Sequence, residues 1–272
     1  AQTFQLLVPL PDRTYHLVSG HHQKISRVHR DVSPARICFF WEDLRSDYAE
    51  DIDISCWCSA TLSELGLMFD MKIENRSPYT VESVTYPFIG DLSKPDSTDV
   101  LTRASCFHTE MIFKSLSPKF QNERGYWGVE YPIQMVPTPE NAFLLILSRD
   151  EGLYVGLNDT SMQERVEFTF QIKPGHRSAD DTLPGKTHNG QPINLEFSAV
   201  HHPFIQTEES CDLSPVALKP FTGDWHAGAD IYRAWRDTWM KRPASPKWAK
   251  QIHAWQQLQM SSWGDTLNIQ YK

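Results

Sequence analysis

The sequence predicts a mainly β protein: a multi-stranded antiparallel sandwich over most of the chain, with a helical segment only towards its C-terminus. Three observations predict this class. Apolar and polar residues alternate in short runs through the first 221 positions, the pattern of strands with one buried face. Polar turns separate the runs, with 18 prolines against 13 glycines in 272 residues, and Met135-Val-Pro-Thr-Pro-Glu140 illustrates the rigid connections this produces. Past Pro220 the period lengthens to that of a helix.

The clearest strand is Leu65 to Asn75. Leu65, Leu67, Phe69, Met71 and Ile73 fall on one face, and Asn75-Arg-Ser-Pro78 ends the run. Val81 to Phe88 alternates again, and Pro87, which has no N–H for a ladder, is expected to end it. Two consecutive strands joined by a turn predict a hairpin. Phe143 to Leu147, Gly152 to Leu157, Glu164 to Ile172 (Val166, Phe168, Phe170 and Ile172 on one side) and Ile193 to Val200 continue the series at sandwich spacing.

Near Pro220 the composition changes. Residues 219–250 hold seven basic and three acidic side chains within a chain of net charge −8, and six of the nine tryptophans lie between Trp225 and Trp263. Over Ala229 to Lys241 the residues Ile231, Ala234, Trp235, Thr238 and Trp239 share one helical face; Lys241 and Arg242 suit the C-terminus and Pro243 stops it. Periodicity alone leaves Ile252 to Met260 open between a buried strand and a helix. So much aromatic surface needs a partner, either the sandwich itself or polypeptide outside the chain.

Charge and composition exclude other classes. The 34 acidic against 26 basic residues are the reverse of a nucleic-acid-binding footprint. The longest apolar stretches, such as Ala142 to Leu147, fall far short of the roughly 18 residues of a membrane span. The start, Ala1 to Arg13, lacks the basic flank and cleavage pattern of an intact signal peptide; a mature N-terminus would look the same, so the compartment stays open. Five cysteines, Cys38, Cys56, Cys58, Cys106 and Cys211, show neither disulfide-framework nor metal spacing and are expected in the core, Cys56 and Cys58 on one strand face. His21-His22 and His201-His202 have no third ligand at metal spacing, and neighbours in a strand point to opposite faces. No metal and no cofactor is therefore expected. The sequence has no phosphate-cradling glycine loop, no GxSxG and no HExxH.

Several segments together carry a resemblance. Leu67-Met-Phe-Asp-Met-Lys-Ile-Glu-Asn-Arg-Ser77 followed by Val81-Glu-Ser-Val-Thr-Tyr-Pro-Phe-Ile-Gly-Asp91 resembles the strand, turn and strand that open β-supersandwich domains of glycoside hydrolases. Gly152-Leu-Tyr-Val-Gly-Leu-Asn-Asp159 resembles a later strand of the same enzymes, and Asp224-Trp-His-Ala-Gly-Ala-Asp-Ile-Tyr-Arg-Ala-Trp235 resembles the lead from sandwich to catalytic barrel. In order and spacing, over about residues 60–260, they resemble a family related to the endo-α-N-acetylgalactosaminidase and α-galactosidase groups, with a galactose-mutarotase-like sandwich before a (β/α)8 barrel. The resemblance implies a β-supersandwich over residues 1–221, a Trp-rich helical linker over 222–250, and the start of a truncated barrel over 251–272, with Trp255 to Met260 as its first strand. Such a barrel needs roughly 250 more residues and draws its catalytic carboxylates from later strands, so none is expected in this chain.

Sugar sites combine an aromatic platform with carboxylates and amides. The loop Gly125 to Pro132 has that makeup in Trp127, Glu130 and Tyr131, while Asp91 and Asp159 follow apolar strands; Asn158-Asp159 is equally an ordinary turn. On the barrel analogy Trp263 and Asp265 fall near substrate. The expected function is thus the non-catalytic N-terminal sandwich of a carbohydrate-active hydrolase, which buttresses the barrel and lines part of its sugar cleft. Its partners would be an oligosaccharide or glycoside and the remaining barrel polypeptide, with no nucleic acid and no membrane. The alternative is a free-standing carbohydrate-binding or aldose-epimerase-like sandwich, in which His201 or His202 would face Glu196 across the concave sheet. A purely structural interaction module is the third reading.

Overall fold

The computed structural model describes residues 3–49, 52–92, 102–107, 110–115, 133–137, 142–174, 193–241 and 244. In chain order these form β1 (Gln5–Leu7), β2 (Leu17–Ser19), a 3-10 turn (Gly20–His22), β3 (Arg27–Val32), β4 (Ala35–Trp41), β5 (Ile54–Ser63), β6 (Gly66–Asn75), β7 (Ser83–Leu92), β8 (Thr102–Phe107), β9 (Glu110–Ser115), β10 (Ile133–Pro137), β11 (Phe143–Leu147), β12 (Glu151–Leu157), β13 (Val166–Pro174), β14 (Ile193–His201), β15 (Glu209–Asp212), β16 (Val216–Thr222) and α1 (Trp225–Trp239). The chain divides into two compact units, Ala1–Thr238 and Trp239–Lys272. The second is described only at residues 239–241 and 244, where Trp239 closes α1.

The first unit is an antiparallel sandwich, as the alternation predicts. A six-stranded sheet runs β10-β13-β14-β7-β1-β2, and a larger one runs β3-β4-β5-β6-β16-β12-β11-β8-β9, with β15 also paired to β6. Their inner faces share one core: Leu6, Val18, Val84 and Tyr86 come from the smaller sheet, and Ile54, Cys56, Cys58, Met71 and Ile73 from the larger. Cys56 and Cys58 are free core thiols as expected, and burial pushes both well up; Cys38 is also buried and free, while Cys211 is only partly covered. At roughly 25 cal/mol per Å² of apolar surface removed from water, this shared layer dominates stability.

Three sequence expectations change. Leu65–Asn75 and the following strand do not form a hairpin: β6 lies in the larger sheet and β7 in the smaller, so the intervening turn carries the chain across the sandwich. The cause is Asn75, fully buried. Its Nδ2 donates to Tyr79 O (2.7 Å) and Ile205 O (3.0 Å), and its Oδ1 accepts from Ser77 N (3.1 Å) and Ser77 Oγ (2.7 Å). Side-chain bonds replace the ladder and hold an arch between layers. Pro87 does not end β7, because the strand runs on to Leu92. Between the pairs Phe88↔Ser198 and Thr85↔Val200 β7 carries one extra residue, and β1 pairs only with Ser83 to Thr85. A bulge without a neighbour on its other side tolerates the missing N–H.

The third change is the face that α1 buries. The helix begins at Trp225 and buries Gly228, Tyr232 and Trp235; Ala234 and Thr238 are exposed. Tyr232 stacks on Phe143 with centroids 4.7 Å apart. A Cβ at Gly228 would meet Leu145 Cδ2 at 2.6 Å and Phe221 Cζ at 2.7 Å. A glycine and a tyrosine therefore set the contact, and neither counts in an aliphatic stripe. Cross-strand register places Phe143, Gly156, Ala217 and Met68 in one row, so α1 covers the outer face of the larger sheet at β11, β12 and β16.

Replacing Asn75 by Ala strands buried carbonyls of Tyr79 and Ile205, and is expected to cost about 2–4 kcal/mol. Urea unfolding checks this; a loss below roughly 0.5 kcal/mol would mean the arch does not depend on the amide.

Candidate functional site

The outer face of the larger sheet beyond α1, over β3 to β6 and β15, forms an open groove of about 1010 Å³. Its floor follows from strand parity. Ile54, Cys56 and Cys58 of β5 point to the core, so Trp57, Ser59 and Thr61 point outward. Register then fixes their neighbours: Phe40, Trp57, Lys72 and Asp212 form one cross-strand row, Cys38, Ser59 and Asp70 the next, and Arg36, Thr61 and Met68 a third.

At the centre, Arg36 Nη2 donates to Ser59 Oγ (3.2 Å), and Ser59 Oγ donates to Asp70 Oδ2 (3.3 Å). Ser59 is only 4% exposed. Its backbone is fixed from the opposite layer, because Tyr86 Oη donates to Ser59 O at 2.7 Å. Among the described residues neither Arg36 nor Asp70 is in an ion pair, nor is Asp212, which also lines the groove, whereas Lys72 is paired. Lys72 Nζ meets Glu74 Oε1 at 3.0 Å, which raises the ammonium above its ordinary range, and His29 Nε2 meets Asp31 Oδ1 at 2.8 Å. Half-buried Trp57 supplies an aromatic surface beside the relay, with Lys72 Nζ 5.4 Å from its ring centroid. Phe40 carries Arg27 at 4.3 Å. Chemically the arrangement offers a donor fork, an acceptor carboxylate and an aromatic wall in one row-to-row span, a set that matches a polyhydroxylated ligand.

A second cluster sits at the edge of the core. His201, 1% exposed, has Nδ1 2.5 Å from Glu164 Oε1 and Nε2 3.0 Å from Tyr86 O. Both nitrogens face oxygen atoms, so the ring bridges the Glu164 carboxylate to the Tyr86 carbonyl. The other oxygen of Glu164 accepts from Ser214 N at 2.8 Å, which holds the corner between β15 and β16. Burial alone would raise the Glu164 carboxyl, but the bond to His201, its charge and the Ser214 bonds outweigh it and hold the group below its ordinary range.

The residues singled out from sequence fare differently. Asp159 is 5% exposed, and both oxygens are occupied within its own loop: Oδ1 accepts from Ser161 N (2.8 Å) and Ser161 Oγ (2.6 Å), Oδ2 from Gln163 N and Glu164 N (2.9 Å each). It organises the turn that delivers Glu164. Asp91 lies within β7 and not on a loop after it. Trp127, Glu130, Tyr131, Trp263 and Asp265 lie outside the described residues, as does the expected strand at 255–260. Of the two histidines in the epimerase alternative, His201 does not face Glu196. Along the unbroken β13–β14 register His201 shares the core side with Phe197 and Ala199, and Glu196 is on the opposite face. His202 is lowered, first by burial. His21 and His22 are in the 3-10 turn with ring centroids 3.7 Å apart, not on opposite faces of a strand. Sequence reading missed Arg36, Ser59, Asp70 and Trp57.

No protein-family model matches the chain, and no curated protein matches it. Solved structures similar to it include the α-N-acetylgalactosaminidase NagBb from Bifidobacterium bifidum in complex with GalNAc, at 12% identity and a TM-score of 0.49 over 87% of this chain and 33% of that one. The GH36 α-galactosidase AgaA from Geobacillus stearothermophilus gives 11% and 0.49, over 90% of this chain and 33% of that one. A galactose mutarotase-like protein from Lactobacillus casei gives 10% and 0.42, over 72% of each chain. The chain spans about a third of the length of the two hydrolases.

Glu164 titrates below its ordinary value when folded, so its contribution is fully present above about pH 4.5 and is lost as pH falls through the folded value. Thermal melts of Glu164→Gln beside the wild type are expected to differ most near neutrality and to converge as the pH falls through the folded value. A gap independent of pH in the acid range would exclude this pair as its source.

Proposed function

We propose that this chain is the non-catalytic N-terminal sandwich region of a carbohydrate-active glycoside hydrolase, which buttresses a (β/α)8 barrel and lines part of its sugar cleft. The observation that carries the reading is the seating of α1. The segment Asp224 to Trp235, whose sequence resembles the lead from sandwich to barrel, is a helix from Trp225, clamped to the larger sheet through Gly228 and Tyr232. A lead element fixed to the sandwich is what a buttress requires mechanically. The domain assignment that follows is a sandwich over 1–221, a linker over 222–250 and the start of the barrel over 251–272. Its substrate class is an oligosaccharide or glycoside, and its partner the remaining barrel polypeptide.

No cofactor enters this reading, since glycoside hydrolysis runs on two carboxylates, and those belong to the barrel. Among the described residues no helix is long and apolar enough to cross a membrane. One observation favours a second reading, a free-standing carbohydrate-binding sandwich: the groove on β3 to β6 is assembled within this chain alone. The epimerase form of that reading loses its His201 and Glu196 pair, which lie on opposite faces of β14.

Denaturing and native mass spectrometry of material from the natural source separate the two. The hydrolase reading expects this sequence within a longer polypeptide, or in stable complex with a second chain carrying barrel residues. A lone, functional species with the mass of the 272-residue chain would overturn it.

A further inference from the structure

We propose that the groove over β3 to β6 is a binding subsite for a neutral pyranoside, with Arg36, Ser59 and Asp70 as its polar centre and Trp57 as its stacking wall. The proposal deepens the carbohydrate reading above and rests on it. Its grounds are the chemistry of the groove itself.

Arg36 and Asp70 are the two central charges left without an ion pair among the described residues, and Ser59 Oγ joins them through bonds of 3.2 and 3.3 Å. A guanidinium can only donate and a carboxylate can only accept. A ligand satisfying both must therefore carry donors and acceptors a few ångströms apart. Vicinal hydroxyls do so: one oxygen accepts from Arg36 while its neighbour donates to Asp70.

Charge selects further. An anionic ligand placed here meets Asp70, with Asp31 and Asp212 also lining the groove. A cationic one meets Arg36 and Lys72. Like-charge contact penalises both, and the balanced pair at the centre gains nothing from net charge on the ligand. The remaining requirement is an apolar face for the C–H side of a sugar ring, and the half-buried Trp57 supplies it one row from Ser59, with Met68 on the other side of the polar centre. The site is also preorganised. Ser59 lies in the middle of β5, between β4 and β6, and Tyr86 Oη holds its carbonyl from beneath. Binding thus needs no ordering of a loop.

The test is calorimetric titration, with two-dimensional amide NMR, of the full chain against the methyl pyranosides of galactose, glucose and mannose. Galacturonate and glucosamine serve as the charged counterparts. At least one neutral pyranoside is expected to bind with millimolar affinity and to shift amides of Ser59, Asp70 and Trp57; the charged counterparts bind more weakly. Asp70→Asn and Arg36→Met are each expected to weaken binding about tenfold, as loss of a bond to a charged group does. Trp57→Ala should weaken it by a similar factor, while circular dichroism and melting temperature confirm that each variant is folded.

Two outcomes overturn the proposal. One is that no neutral pyranoside binds at about 50 mM, a concentration at which a millimolar site is nearly filled. The other is that binding occurs but is unchanged in folded Asp70→Asn and Arg36→Met, which moves the sugar elsewhere on the chain. Either leaves the hydrolase reading to be decided by the native-mass experiment, so the two failures remain distinguishable.

Discussion

The hydrogen bond from Tyr86 to Ser59 is where the interior of this sandwich and its open face meet. A phenol in an apolar layer has to find an acceptor, and Tyr86 finds one by crossing from β7 to the β5 carbonyl of Ser59 at 2.7 Å. Burial, first, then the nearby Cys58 and Asp70, pushes this phenol far above its ordinary range, so it remains a donor throughout the physiological interval. The bond ties the two layers at the strand that carries the groove floor. It also leaves the Ser59 hydroxyl free to act outward, where it joins Arg36 to Asp70.

The same economy explains the two turns that depart from simple sheet logic. Asn75 satisfies with one amide the carbonyls that an arch between layers would otherwise strand, and Asp159 satisfies with one carboxylate the N–H groups of the turn before β13. That second turn delivers Glu164 to His201 and, through Ser214, fixes the corner between β15 and β16. Each is a short polar side chain serving several backbone groups, a strategy available where no ladder partner exists.

How much of this is legible in the sequence depends on which physical signal carries it. Alternation in β6 and β13, and the apolar runs of β11 and β12, are local and read correctly, because inward residues such as Ile73, Leu144 and Phe168 must be apolar whatever their partners. Whether two neighbouring strands pair or arch is not local: it turns on the bonds that Asn75 makes with Ile205 and Gln206, more than a hundred residues away. The helix face misleads for a related reason, since Gly228 and Tyr232 matter through the surface they meet. Half of the groove was recoverable. Ser63 pairs with Gly66, whose φ of +106° permits the tight turn, and counting back along both strands sets Ser59 opposite Asp70 and Trp57 opposite Lys72. Arg36 was not, because the connection from β4 to β5 has no hairpin register to count from.

An antiparallel sheet can leave one face in water, unlike a parallel one, which needs both covered. The larger sheet uses that freedom unevenly. At β11, β12 and β16 the small residues Gly156 and Ala217 sit in the row under α1, while across β6 to β4 that row continues as Met68, Thr61 and Arg36, and the open rows beside it carry Ser59 with Asp70 and Trp57 with Lys72. If the open rows served solubility alone, charge pairs such as Lys72 with Glu74 would suffice, since exposed pairs add little to stability. What solubility does not require is a hydroxyl buried between a guanidinium and a carboxylate that have no ion pair among the described residues, with a tryptophan alongside. In a chain whose net charge is −8, a locally balanced centre of this kind discriminates by hydrogen-bond geometry and not by long-range attraction. Affinity for its ligand should accordingly depend little on salt, which separates it in principle from any surface that works through the acidity of the whole molecule.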